Sequence, residues 1–143
     1  MDPSPEGARS GADFIREFLA TSPYVGHLGI QLREMQPDVA KLVLLFTDAL
    51  VTVGTVVHGG AIASLIDTAA AVAAWSNAEV PEKPRGVTVS MTVAYLAAAS
   101  HEDLLAVART LSRGRSLVYL DVEVNGAVSG VAIARGLVTY KLG

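Results

Sequence analysis

The 143-residue sequence predicts an α+β fold in which one long helix packs on a single curved antiparallel sheet. Two observations carry this. The stretch from His58 to Trp75 is nearly apolar on every side, as expected of a helix buried in a core. After it, several segments alternate polar and apolar residues with a period of two, the pattern of half-buried strands.

The elements follow in order. Residues 1–11 are polar and turn-rich, without the basic start and apolar core of a signal peptide, and are expected to be flexible. Residues 12–143 then form a single domain. Ala12 to Thr21 reads as a short amphipathic helix with Phe14, Ile15, Phe18 and Leu19 on one face, ended by Ser22-Pro23. Leu28 to Met35 and Val39 to Phe46 read as strands joined by a turn at Gln36-Pro37-Asp38. A loop from Thr47 to Val57 leads into the long helix, which should stop near Ser76-Asn77. Asn77 to Gly86 is a loop containing Pro81 and Pro84. Val87 to Tyr95, Asp103 to Leu111, Leu117 to Val124 and Val128 to Tyr140 read as strands of an antiparallel meander. Turns are expected at Ser112-Arg113-Gly114 and at the hairpin dipeptide Asn125-Gly126. One sheet cannot surround an all-apolar helix, so its uncovered side predicts a second subunit.

Composition narrows the function. The chain has no cysteine, which excludes disulfides and thiolate catalysis. A net charge of −3 argues against a general nucleic-acid binder. The weakly charged run from Thr47 to Ala78 reads as a core helix and its approach rather than a membrane span. A cytoplasmic protein is the expectation. His27 and His101 show no metal-ligand spacing, and no phosphate-loop or dinucleotide glycine pattern is present, so neither metal nor cofactor is expected.

Asp67 stands out. Its helical neighbours are Ala63, Ser64, Ala70 and Ala71, which offer no cation. A buried carboxylate without a partner is costly or has a raised pKa, and chains keep such a group mainly for chemistry. Gly59 and Gly60 open the same helix, where bare backbone amides can face a developing negative charge. His58 either caps the helix or contacts substrate. His58 and Asp67 lie nine residues apart, about 13 Å along a helix and about half a turn out of phase. From one chain they cannot reach the same substrate atom, so a shared site needs a dimer. Ser64 is expected to bond backbone, and Thr88, near a strand start, to hold a water. Among Lys83, Arg85, Arg113 and Arg115, all in loops, at least one is a candidate for phosphate recognition. Trp75, Met91 and Tyr95 are candidates for lining an apolar pocket, or for core.

The run Gly54-Thr55-Val56-Val57-His58-Gly59-Gly60, with Asp67 and Thr68 following, resembles the signature of hotdog-fold acyl-CoA thioesterases of the phenylacetic-acid-degradation type. Ser22 to Ile30, Val87 to Leu96 and Ser112 to Arg115 are similar to that family's opening segment, central strand and late hairpin. The resemblance implies a sheet wrapped around the helix, dimers joined through the central strand and often tetramers. It also implies hydrolysis of an acyl-CoA thioester at the dimer interface, with coenzyme A as part of the substrate. Asp67 would be general base or nucleophile, an amide of Gly59 or Gly60 would stabilise the oxyanion, His58 would orient the loop or carbonyl, and Thr88 would assist the water. The branch commonly carries an Asn where this chain has Thr52, and the chain has one more residue than usual between Gly54 and His58. The loop is therefore expected to be built differently. A non-enzymatic acyl-CoA-binding protein and a hotdog hydratase are the alternatives.

Overall fold

A computed structural model of the chain describes residues 9–143. Most of the segment expected to be flexible, residues 1–8, lies outside the described residues. Helix α1 (Gly11–Thr21) begins under Ser10, whose hydroxyl accepts from the Asp13 amide at 3.1 Å and caps the first turn. Ser22-Pro23 ends α1, but Pro23 also opens a second short helix, α2 (Pro23–Leu28), closed by Gly29 at φ 77°. Six residues are too few for a readable helical period, so this element escapes a reading by pattern.

Strands β1 (Ile30–Gln36) and β2 (Val39–Leu44) form the expected hairpin, with Asp38 at φ 67° in its turn. The presumed loop before the long helix is more ordered than expected. It holds a 3₁₀ turn at Asp48–Leu50 and a small ribbon of β3 (Val51–Val53) and β4 (Val56–Val57). Val51 pairs with Val57 and Val53 with Val56, so Thr52 bulges out of the ribbon. The long helix α3 (Gly59–Ser76) follows, then β5 (Gly86–Tyr95), β6 (Leu104–Arg113), β7 (Leu117–Gly126) and β8 (Ala132–Leu142).

The six long strands form one antiparallel sheet in the order β1-β2-β6-β7-β8-β5, and α3 packs against every one of them. The simple meander is therefore corrected. β5 does not pair with β6, its successor in sequence. It crosses the sheet end and pairs with β8, with Val93 opposite Gly136. The connection of residues 96–103 is long enough for that crossing, and it leaves β2 free to pair with β6. The helix lies close to the sheet. A side chain at Gly136 would strike Ile66 of α3, which is why that strand position is glycine.

The Asn125-Gly126 turn is also corrected. Both residues lie at the end of β7, paired with Leu105 and Leu104. The reversal is a wider turn after them. The Glu102 carboxylate, accepting from the amides of Val128 and Ser129 at 3.0 Å each, organises it. Glu102 occupies the space a side chain at position 126 would need. These amide bonds, the Ser129 amide first, hold the Glu102 carboxyl below its ordinary pKa.

Leu65, Ile66, Ala69, Ala70, Val72, Ala73 and Ala74 of α3 are fully buried. The stripe left half-buried is Ala63, Ser64, Asp67, Thr68 and Ala71. The chain's own α1 and α2 close part of it, so the helix alone does not require a second subunit. The apolar surface left open is on β5, where Val87 is 58% and Val89 56% exposed. Among the described residues α3 is the one helix long and apolar enough to cross a membrane, and it is the core helix of this sheet.

Candidate active site

Asp67 is half-buried, a correction to the full burial expected of it. It has a partner: the Thr88 hydroxyl donates to its Oδ1 at 2.5 Å, in the range of a charge-assisted O–H···O⁻ bond. Thr88 sits on the inner face of β5, opposite Tyr140 of β8. The bond fixes one carboxylate oxygen, and Asp67 lines a cavity of about 420 Å³ together with Phe18 and Leu19 of α1, Tyr24 and Val25 of α2, Ala71 and Val72 of α3, and the hydroxyl residues Ser22, Thr68 and Thr88. Such a volume suits a small-molecule group.

The N-terminus of α3 shows which amide is available. His58 is the N-cap, and its Nδ1 accepts from the Gly60 amide at 2.8 Å. Nδ1 as acceptor places the proton of the neutral ring on Nε2. The Ala61 amide bonds the His58 carbonyl at 3.0 Å. That leaves the Gly59 amide, which has no acceptor among the described residues. Of the two glycines expected to serve an oxyanion, Gly60 is therefore occupied and Gly59 is open. The Tyr95 hydroxyl donates to the Gly59 carbonyl at 2.8 Å and ties this peptide to the end of β5. Tyr95, expected as pocket lining or core, holds the glycine loop instead.

Gly59, Thr52, Ile62 and Tyr95 line a second cavity of about 420 Å³, distinct from the one at Asp67. Within one chain the acid and the open amide thus serve different cavities. Ser64 donates to the Gly60 carbonyl at 2.9 Å, so the Tyr24 hydroxyl, 2.8 Å away, is the donor to Ser64. Ser64 bonds backbone, as its position in the helix predicts.

The four cations expected in loops divide, with Arg113 at the end of β6. Arg113 is engaged: it pairs with Asp38 at 2.6 Å and donates to the Ala74 carbonyl at 2.9 Å, closing the C-terminus of α3. Arg113 also borders a surface cavity together with Arg115. Partial burial alone would raise the Asp38 pKa, but hydrogen bonds from Arg113 and Asn77 outweigh it and the carboxyl titrates below its ordinary value. Lys83 is exposed, and Arg85 and Arg115 each border a surface cavity with Gly143. Met91 lies on the open surface of β5. Trp75 lines the far end of the groove described next.

Trp75, expected as pocket lining or core, does line a cavity, in company with Tyr140, which pattern reading missed. Beyond Asp67 the cavity continues along α3 into a smaller one of about 240 Å³, bordered by Phe14, Trp75 and Pro84, the two sharing Ile15, Phe18, Ala71, Gly86 and Tyr140. Asp67, Ala71 and Trp75 recur every four residues, and that spacing was the readable signal for one wall of a groove.

The sequence profile of the thioesterase superfamily matches residues 54–131, from the β3–β4 turn to the turn before β8. The chain belongs to the thioesterase superfamily. Human acyl-coenzyme A thioesterase 13 is 32% identical over 92 residues, 64% of this chain and 63% of that protein, so the chain spans less than two thirds of that relative's length. A thioesterase family protein from Silicibacter pomeroyi superposes with a TM-score of 0.83 at 25% identity, covering 93% of this chain and 98% of that one. The E. coli PaaI protein from the phenylacetic acid degradation operon shares the fold, with a TM-score of 0.79 at 20% identity and 92% of each chain covered. Hotdog architecture and membership of the thioesterase superfamily are thus in agreement with the motif around His58.

Proposed function

We propose that this thioesterase hydrolyses an acyl-CoA thioester to the free acid and coenzyme A, at sites shared by two copies of the chain. One observation carries the reading. A carboxylate held by Thr88 lines a cavity of mixed polar and apolar walls, while the uncommitted Gly59 amide opens on a different cavity. An acid and an oxyanion donor that cannot meet within one chain can meet across a two-fold axis.

The open edge of β5 supports the same arrangement. Thr88 anchors Asp67 near one end of this strand, and Tyr95 anchors Gly59 at the other. When β5 pairs antiparallel with its own copy, the Thr88 end meets the Tyr95 end. Asp67 then faces Gly59 of the partner subunit. The homodimer is the functional unit on this reading, and tetramers are dimers of it.

In the reaction, the acyl group lies in the groove beside Asp67 and the thioester carbonyl oxygen points to the Gly59 amide of the partner subunit. The free carboxylate oxygen of Asp67 takes a proton from water as the water oxygen bonds to the carbonyl carbon. The amide, at the positive end of α3, stabilises the oxyanion. Collapse breaks the C–S bond, and the departing thiolate takes up the proton. Direct attack by the second oxygen of Asp67 to form a mixed anhydride is the competing route. Lys83, Arg85 and Arg115, exposed in loops, are cations available for the phosphates of coenzyme A.

Thiol release from a panel of acyl-CoAs tests the reading, with wild type and Asp67→Asn side by side. The nearly isosteric variant should keep the fold and lose at least ~100-fold in kcat. Full activity in Asp67→Asn would sink the mechanism. Tight binding of acyl-CoA with no release by wild type would leave a binding protein.

A further inference from the structure

The groove beyond Asp67 ends at a hydroxyl that the mechanism does not use. The Trp75 indole donates to the Tyr140 oxygen at 3.0 Å. Indole is a donor only, which fixes the direction of that bond. The phenol keeps its own proton, and that proton has no acceptor among the described residues. Tyr140 is 7% exposed yet borders both the cavity at Asp67 and the smaller one beyond it. Its hydroxyl is also tightly seated, because a side chain at Gly86 would collide with it and with the Trp75 nitrogen. A fixed, buried donor without an acceptor, at the part of the groove lined by Phe14, Ile15, Phe18, Ala71 and Trp75, is a preorganised contact for a ligand atom.

The groove has direction and length. Asp67 lies at one end and Trp75 two helical turns further on, about 12 Å along the α3 axis. Ala71 stands between them and Phe18 of α1 crosses above. The chain has three Phe, one Trp and four Tyr. Phe14, Phe18, Tyr24, Trp75 and Tyr140, most of that set, border this one groove.

We infer that Tyr140 is a specificity-determining residue, donating a hydrogen bond to an acceptor oxygen near the distal end of the acyl group. This rests on the acyl-CoA thioesterase reading. The preferred substrates are uncharged acyl groups with an apolar body and a keto, ether or hydroxyl oxygen away from the thioester. The unsubstituted acyl group of the same length leaves the phenol proton unpaired. A carboxylate at that end is disfavoured, since the walls are apolar and the site already holds the Asp67 charge. Burial raises the Tyr140 pKa, with the Asp67 charge adding to the effect against the Trp75 bond, so the donor keeps its proton at neutral pH.

The test uses matched acyl-CoA pairs of equal length, one unsubstituted and one carrying a distal keto oxygen. In wild type, kcat/KM should favour the keto ester by about tenfold at the best oxygen position, the worth of one good hydrogen bond. In Tyr140→Phe that ratio should fall to about one. A merely structural tyrosine would lower both rates together and leave the ratio unchanged, which overturns the proposal, as does equal use of both esters by wild type. Binding of non-hydrolysable thioether analogues of the same pairs to Asp67→Asn protein gives a readout that needs no turnover and no Tyr140 variant. A preference for the keto analogue there upholds the inference even if every ester resists hydrolysis and the enzyme reading fails. Equal affinities refute it even if hydrolysis is fast.

Discussion

At the scale of single residues, the site is defined by which polar groups are already spoken for. Gly60 gives its amide to His58 and Gly59 does not. Proline at position 59 would delete that amide alone. Proline suits the first position of a helix, and His58 at ψ 133° has the extended backbone that a following proline requires. Gly59→Pro is expected to lower kcat by about 100- to 1,000-fold, the effect of one oxyanion donor, with a melting temperature near that of wild type. A variant as active as wild type would remove Gly59 from the mechanism. His58→Ala should separate capping from catalysis, destabilising the fold by about 1 kcal/mol, with His58→Asn restoring most of that because Asn is a good N-cap. Thermal melts read the stability and thiol release the rate. Asp67 was legible because an acid in an apolar helix is out of place. Its partner Thr88 was legible only as a polar position on a strand, since the bond joins residues 21 apart in sequence. Tyr140 was not legible at all. Its alternation with Val138 reads as ordinary core, and its spare proton exists only because Trp75 reaches it from another element.

At the scale of elements, α3 is held at both ends by side chains from its surroundings. Arg113 of β6 reaches the final carbonyls while paired with Asp38 of the β1–β2 turn. Arg113→Ala should destabilise by about 2 kcal/mol, as expected for lost charged hydrogen bonds in a partly buried place. The pH dependence has a definite sign. The folded-state pKa of Asp38 lies below its ordinary value of 3.8. Its contribution is therefore complete above that value and is lost as pH falls through the lower folded pKa. Urea melts between pH 2 and 6 should show a shallower acid loss in Asp38→Asn than in wild type, and an unchanged slope would contradict the pairing. The strands were legible where one face is buried and the other wet. β7 is the clearest, with Val118, Leu120, Val122 and Val124 buried in turn. The position of β5 was not legible. The strand is open along most of its length, so its period of two does not say which neighbour it takes, and the crossover to β8 depends on contacts far away in sequence. The α2 helix and the β3–β4 ribbon were too short for any period to emerge.

For the molecule as a whole, the unfinished surface is β5. Val89, 56% exposed on an edge strand, is the kind of apolar position that seeks another chain. Val89→Glu should weaken self-association and take activity with it, although Asp67, Thr88 and Gly59 are untouched. Light scattering and thiol release on the same sample would show the two declining together. A fully active monomer would refute a shared site. The two cavities on opposite stretches of α3 carry one more consequence, which concerns inheritance rather than geometry. Asp67→Asn destroys only the acid, and Gly59→Pro only the amide. Mixed in one dimer, each chain supplies what the other lacks, and one of the two sites is whole again. Two inactive alleles should therefore complement each other, recovering up to about a quarter of the wild-type rate when subunits exchange at random.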